Sequence, residues 1–181
     1  NAHAPIEALE KLSHQNGFDP RDVREITIGG IEKLVTHHAI YQPKDLMAAQ
    51  YSIPFCAALS LYYDPKEPES FTEKRISDEK VLSMMRKVRL RVDPEIENKG
   101  WDRAARVTLS LRDGKRPSVL VIHFKGTPQN PMSPSELEEK AKNLTRQILS
   151  EKKLQRLVDS VQNVEKLDDV SKLTRPLRIA S

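Results

Sequence analysis

Residues 106–124 read RVTLSLRDGKRPSVLVIHF and contain the clearest hairpin signal in the chain. Apolar and polar residues alternate through the first six positions, which is the period of a strand with one buried face. Asp113-Gly114 then favours a short turn. The return segment, residues 119–124, is apolar on both faces, which predicts a strand that is central or covered by helices.

Strand and helix patterns surround this hairpin. Residues 88–92 predict a strand that makes a three-stranded meander with it, and residues 23–28 alternate with period two and predict an additional strand. Residues 6–16 form an amphipathic helical pattern, whereas residues 31–43 have no clear period and are expected to be irregular. We therefore predict an α+β fold, in which helices pack on an antiparallel sheet made of a three-stranded meander plus an additional strand.

Two further segments predict helices. Residues 45–62 are apolar nearly all round, which predicts a helix buried on every side and kinked at Pro54. Ser133-Pro134-Ser135-Glu136 is a capping box that begins a series of C-terminal helices. The sequence contains no repeat and no flexible linker. We predict two parts: a small α+β domain over residues 1–132, and a C-terminal helical segment over residues 133–181.

The composition is that of a globular protein, with 181 residues of which 38% are apolar and 31% charged. Such a chain can bury a core. No apolar run approaches the roughly 18–20 residues that cross a bilayer, and the first residues lack a signal-peptide pattern. A single cysteine, Cys56, excludes an intramolecular disulfide and fits a reducing compartment. We expect a cytoplasmic protein with no membrane partner.

The charge pattern argues against a nucleic-acid partner. Thirty cationic residues are interspersed with 26 acidic ones, which leaves a net charge of only +4, and aromatic residues make up 5% of the chain. A nucleic-acid module would show a basic face and exposed aromatics for base stacking. Arg86, Lys87, Arg89 and Arg91 form one basic run. It either binds a phosphate or carboxylate or is a solvated sheet face.

The histidines offer one candidate for chemistry and no metal site. None of the five lies at a spacing typical of metal ligands. His3 begins a helix, where backbone amides favour an anion. The alternative is a flexible histidine beside a tag remnant, without a function. The chain begins Asn1-Ala2-His3 without Met and enters a helical pattern at once, so we expect a piece of a longer protein with a tag remnant.

Three segments resemble the C-terminal part of the MmgE/PrpD family, which includes 2-methylcitrate dehydratase, cis-aconitate decarboxylase and iminodisuccinate epimerase. Residues 3–9, HAPIEAL, are similar to the family's His-x-x-Ile-Asp-Ala helix start. Residues 49–55, AQYSIPF, are similar to its Ala-x-Phe-Ser-Leu-Pro-Tyr helix. Residues 126–133, GTPQNPMS, followed by Glu136-Leu137 and Lys140, are similar to its Gly-x-Pro-x-Asn-Pro-Leu-Ser segment. The three occur in family order along nearly the whole chain.

The resemblance implies a function and a site. It implies the C-terminal domain of a lyase or isomerase that acts, without cofactor or metal, on a small di- or tricarboxylate. The active site would lie in a cleft against a large N-terminal helical domain, to which residues 133–181 return, and the full-length protein would be a homodimer. It makes His3 the candidate catalytic residue and Ser52 and Phe55 candidate substrate-binding residues. The present chain alone is expected to be inactive.

Departures from the family pattern keep the reaction open. Glu7 replaces the usual Asp, Phe55 stands where Tyr is common, and Ala141 replaces the usual Phe. Phe55 lacks the phenol hydroxyl with which a tyrosine could donate a proton. The sequence therefore leaves dehydration, decarboxylation and epimerisation open as the reaction. The alternatives are a non-catalytic interaction or dimerisation domain and a basic RNA-binding module, which would show salt-sensitive binding.

Overall fold

A four-stranded mixed sheet organises the larger part of the chain. The computed structural model describes residues 2–177. Asn1, assigned above to a tag remnant, and residues 178–181 of the predicted C-terminal segment lie outside this range. The strands are β1 (Val23–Gly30), β2 (Val88–Val92), β3 (Ala105–Leu111) and β4 (Ser118–Val121). They lie in the order β2-β1-β3-β4. β1 is parallel to β2 and antiparallel to β3, and β4 is antiparallel to β3.

Helices connect and follow the strands, and the described residues divide into two units. The first unit comprises the described residues of 1–65 and 69–131, and the second those of 66–68 and 132–181. The helices of the first are α1 (His3–Asn16), α2 (Glu32–His38), α3 (Leu46–Tyr51), α4 (Ile53–Ser60), α5 (Glu73–Ile76), α6 (Glu79–Met85) and α7 (Pro94–Lys99). Those of the second are α8 (Pro134–Thr145), α9 (Glu151–Gln162) and α10 (Ser171–Thr174).

The predicted α+β fold is confirmed, but two details of the sheet differ from the prediction. The sheet is mixed and not wholly antiparallel, since β1 is parallel to β2, and β2, β3 and β4 do not form the expected meander. β1 lies between β2 and β3 in the sheet. The connection from β2 to β3 is therefore a crossover and not a hairpin. Residues 93–104 are long enough to carry the chain, through α7, past the end of β1. Gly29 allows this close crossing, since a Cβ there would lie 3.0 Å from the Cβ of Asp93. The return strand β4 is an edge strand and not a central one, and α1 packs on it.

One face of the sheet carries the core. Helices α1 and α4 pack against strands and against each other, and α6 packs on α4. Ile26 and Ile28 from β1 and Val107 and Leu109 from β3 are fully buried. On the other face, Glu25 and Thr27 of β1 and Arg106, Thr108 and Ser110 of β3 are polar and partly exposed. The period-two pattern thus produced one buried and one wet face, as the sequence predicted.

Residues 45–62 form two helices and not the single kinked helix expected above. They separate at Ser52, whose Oγ accepts from the amide of Phe55 at 3.0 Å and caps α4. Pro54 therefore lies in the first turn of α4, where a missing amide costs nothing. Burial on every side holds for α4 but not for α3, where Met47 is 70% and Tyr51 61% exposed. The expectation of irregular structure over residues 31–43 was wrong for residues 32–38, which form α2, whereas residues 39–43 belong to no helix or strand.

The second unit begins at the predicted capping box. The Ser133 hydroxyl accepts from the amide of Glu136, and the Glu136 carboxylate accepts from the amide of Ser133. The unit leaves several large apolar side chains about half exposed or more: Leu137, Leu144, Ile148, Val161 and Val170. Its return to an N-terminal helical domain stays a prediction. In the part of the chain that the structure describes, no helix is long and apolar enough to cross a membrane.

Asp93 ties the crossing loop to the sheet. Its side chain is 7% exposed, Oδ1 accepts from the amides of Glu95 and Ile96, and Oδ2 accepts from Arg106 Nε at 2.8 Å. Burial by itself would raise the pKa of Asp93, but the Arg106 guanidinium and the two amides outweigh it, so the pKa is lowered. The ionised form is the one that the fold stabilises.

We expect Asp93→Ala to lower the free energy of unfolding at pH 7 by about 2 kcal/mol, from the lost helix cap and ion pair. Because the folded pKa lies below the unfolded one, this stabilisation is present above about pH 4 and is lost as the pH falls through the folded pKa. Urea denaturation of both proteins between pH 7 and pH 2 measures it. Asp102→Ala, at an exposed carboxylate, is the control. Equal stability of the two variants at pH 7 would contradict the assignment.

Candidate active site

His3 is the first residue of α1, and its side chain is exposed. Its imidazole stacks on the ring of Phe124, with ring centroids 5.0 Å apart and planes inclined by 15°. No side chain caps the helix, since Ala2 occupies the N-cap position. His3 therefore lies at the amino end of a fourteen-residue helix, against an aromatic ring from the far end of the first unit.

A tight turn after β4 places Phe124. The amide of Gly126 donates to the carbonyl of Asn130 at 2.8 Å, and the Asn130 side-chain amide donates to the carbonyl of His123 at 3.1 Å. The Thr127 hydroxyl donates to the carbonyl of Phe124 at 2.9 Å. Gly126 has a φ of 95°, which only glycine adopts without strain. Residues 126–131 thus form a hydrogen-bonded turn that fixes the position of Phe124.

Glu7 makes a second link between α1 and this turn. Its Oε2 accepts from the amide of Lys125 at 2.7 Å, across 118 residues of sequence, and its Oε1 pairs with Lys11 at 2.8 Å. His3 and Glu7 of the first family-like segment therefore contact Phe124 and Lys125, the two residues that directly precede the third segment. These contacts lie at the amino end of α1.

The middle segment of the family resemblance, residues 49–55, packs in the core below the surface on which His3 lies. Ser52 and Phe55 are both 0% exposed. The Ser52 hydroxyl donates to the carbonyl of Ile40 at 2.5 Å and also caps α4, and Phe55 belongs to the hydrophobic core. α4 packs on α1, but neither side chain reaches the surface on which His3 lies. Substrate contact by Ser52 and Phe55 stays a prediction, and their burial favours a supporting role.

Two other side chains that could be reactive, Cys56 and His38, are buried. Cys56 is buried, and burial raises the pKa of its thiol to about 12, so little thiolate forms at neutral pH. His38 is 7% exposed, with Nδ1 3.1 Å from the carbonyl of Tyr51. No group of three or more His, Cys, Asp or Glu side chains with metal-site geometry occurs within residues 2–177.

Two side chains of the basic run at residues 86–91 donate hydrogen bonds to backbone carbonyls. Lys87 Nζ donates to the carbonyl of Val23 at 2.7 Å, and Arg89 donates to the carbonyls of Arg86 and Val88. Arg91 is exposed on edge strand β2. The structure therefore brings none of these side chains to His3, and it gives Lys87 and Arg89 a structural role.

Sequence reasoning found His3 and missed its surroundings. Phe124 was interpreted as the end of a strand, and Glu7 only as a departure from a motif. The one available signal was that Phe124 directly precedes the Lys125-Gly126 turn, whereas nothing in the local pattern indicates which helix the turn meets. The contact is tertiary and joins the two ends of the first unit.

Comparison with known proteins identifies the family of this chain. Residues 1–166 match the family model described as the MmgE/PrpD C-terminal domain. A relative from Aspergillus oryzae (strain ATCC 42149 / RIB 40), named cis-aconitate decarboxylase-like protein oryM, is 26% identical over 181 residues. The alignment covers 94% of this chain and 37% of the relative, so the chain spans little more than a third of that protein's length. The chain belongs to the MmgE/PrpD family, and it carries the family's C-terminal domain.

Proposed function

We propose that the protein containing this chain is a cofactor-independent lyase or isomerase that acts on a small di- or tricarboxylate. Family membership and the decarboxylase-like relative support a reaction of the dehydratase or decarboxylase type. The observation that supports the assignment to a site is the exposed His3 imidazole at the amino end of α1, where the first family-like segment contacts Phe124 and Lys125. Candidate substrates are 2-methylcitrate and cis-aconitate.

The chemistry needs a group that moves a proton at carbon. In a dehydration, a base takes a proton from the carbon beside a carboxylate, and an acid protonates the hydroxyl that leaves as water. In a decarboxylation, carbon dioxide departs, and the substrate carbon that keeps the electron pair of the broken bond takes up a proton. Imidazole can give or take that proton near neutral pH. The proposal assigns this step to His3.

The remaining groups are assigned to a preceding helical domain. Cations must bind the substrate carboxylates, and a second proton-transfer group must face His3. The exposed apolar side chains of α8, of α9 and of the segment between them, such as Leu137, Val161 and Ile148, support docking of such a domain on the second unit. A homodimer belongs to the same proposal by resemblance to the family.

Turnover assays on the full-length protein test the proposal. We expect conversion of 2-methylcitrate or cis-aconitate, with a rate unchanged after treatment with EDTA. The present 181-residue chain, assayed beside it, is expected to fold cooperatively but to show neither turnover nor a citrate-dependent rise in Tm. A full-length protein that converts no polycarboxylate while this chain forms stable dimers would favour the interaction-domain alternative. A rate that EDTA abolishes and added metal restores would contradict cofactor independence.

A further inference from the structure

We infer that Phe124 is a positioning residue that holds the His3 imidazole in its reactive orientation, with Glu7 fixing the segment on which Phe124 sits. The role in catalysis rests on the proposed function, whereas the stacking geometry does not. Nothing in the family comparison concerns Phe124. The inference comes from three contacts that join α1 to the turn after β4.

The stack on Phe124 constrains the His3 imidazole from outside α1. His3 is the first residue of α1, and its side chain is exposed. A histidine side chain can adopt several staggered rotamers. A ring at 5.0 Å and 15° selects one plane for the imidazole. Stacking covers a face of the imidazole, and both nitrogens lie at its edge.

Phe124 can select that plane because it is itself held. Its ring is partly buried against the hydrophobic core, and its carbonyl accepts from Thr127. The next residue, Lys125, donates its amide to Glu7, which lies one helical turn after His3 on α1. The imidazole and the ring that supports it are thus fixed to the same helix. This matters for rate, because a misplacement of about 1 Å can cost about 100-fold.

A spectroscopic test examines the stacking without any assay of activity. Ring protons that lie over the face of an aromatic ring are shifted upfield in proton NMR. In the 181-residue chain, we expect upfield-shifted His3 imidazole protons, whereas His14, exposed at the other end of α1, is not shifted. Phe124→Leu should return the His3 signals to the position of His14. Phe18→Leu, at another partly buried phenylalanine packed on the core, should leave them in place.

Kinetics of the full-length protein test the consequence. Phe124→Leu should lower kcat about 10-fold or more while KM changes less than about 2-fold, since orientation and not binding is lost. Phe124→Tyr keeps the aromatic face and should restore kcat. Should Phe124→Leu fail to fold, Glu7→Ala is expected to shift the His3 signals and kcat in the same direction.

The outcomes separate the two claims. Unshifted His3 protons in the wild-type chain, or a Phe124→Leu variant with the kcat of Phe18→Leu, would overturn the positioning role. A wild-type full-length protein that converts no polycarboxylate would overturn the proposed function and the catalytic part of this inference with it. The NMR signature would still report the stacking in that case.

Discussion

Replacement of His3 by Ala is expected to lower kcat of the full-length protein at least ~100-fold, the effect typical of a lost general acid or base. The same change should leave the free energy of unfolding within about 0.5 kcal/mol of the wild type, as for other surface substitutions. His3 is exposed, lies at the first position of α1 and stacks its ring on Phe124. Activity and stability should therefore separate at this position.

Steady-state rates with 2-methylcitrate and cis-aconitate, together with urea denaturation, measure both quantities. His14→Ala is the matched control, because His14 is an exposed histidine at the other end of the same helix. Its kcat should equal that of the wild type. Unchanged turnover in His3→Ala would refute the proton-transfer role, whatever the full-length protein catalyses.

Replacement of Phe55 by Ala is expected to lower the free energy of unfolding by about 4 kcal/mol, as for other fully buried phenylalanines. Phe55 is 0% exposed, lies in the first turn of α4 and belongs to the core shared with α1. A domain of this size is stabilised by about 5–15 kcal/mol. The substitution therefore removes a large share of the total.

This result would distinguish a core residue from a wall of the substrate cleft. If Phe55 lined the cleft, Phe55→Ala would raise KM with little loss of stability. Met47→Ala, at a side chain that is 70% exposed on the neighbouring helix, is the control and should cost less than about 0.5 kcal/mol. A stability for Phe55→Ala equal to that of Met47→Ala would contradict the burial of Phe55.

The local elements could be predicted from sequence where several signals agree, and the pairing of strands could not. The alternation in β3 and the capping box at Ser133 were sufficient for their elements. The short helix α2 buries only Leu34 and His38, so its pattern was too brief to show a period. The position of β1 beside β2 depends on where residues 93–104 cross, and no local pattern encodes that path.

Some features of the candidate site could likewise be predicted from the sequence, and others could not. His3 could be identified because a short family motif marks it, and the rigid turn at residues 126–131 follows from its glycine and prolines. Ser52 carried a cap signal, a serine two residues before a proline, that the long apolar run around it concealed. The stack of His3 on Phe124 joins the two ends of the first unit and had no sequence signature.

The central position of β1 has a consequence for synthesis of the protein. β1 leaves the ribosome before any other strand of the sheet, yet its partners in β2 follow 62 residues later and those in β3 follow 77 to 88 residues later. Until then Val23, Ile26 and Ile28 have no sheet to complete, and both edges of the strand lack a neighbour. Contacts so distant in sequence form slowly. The nascent chain, and not the finished protein, is therefore the state most in need of protection from aggregation.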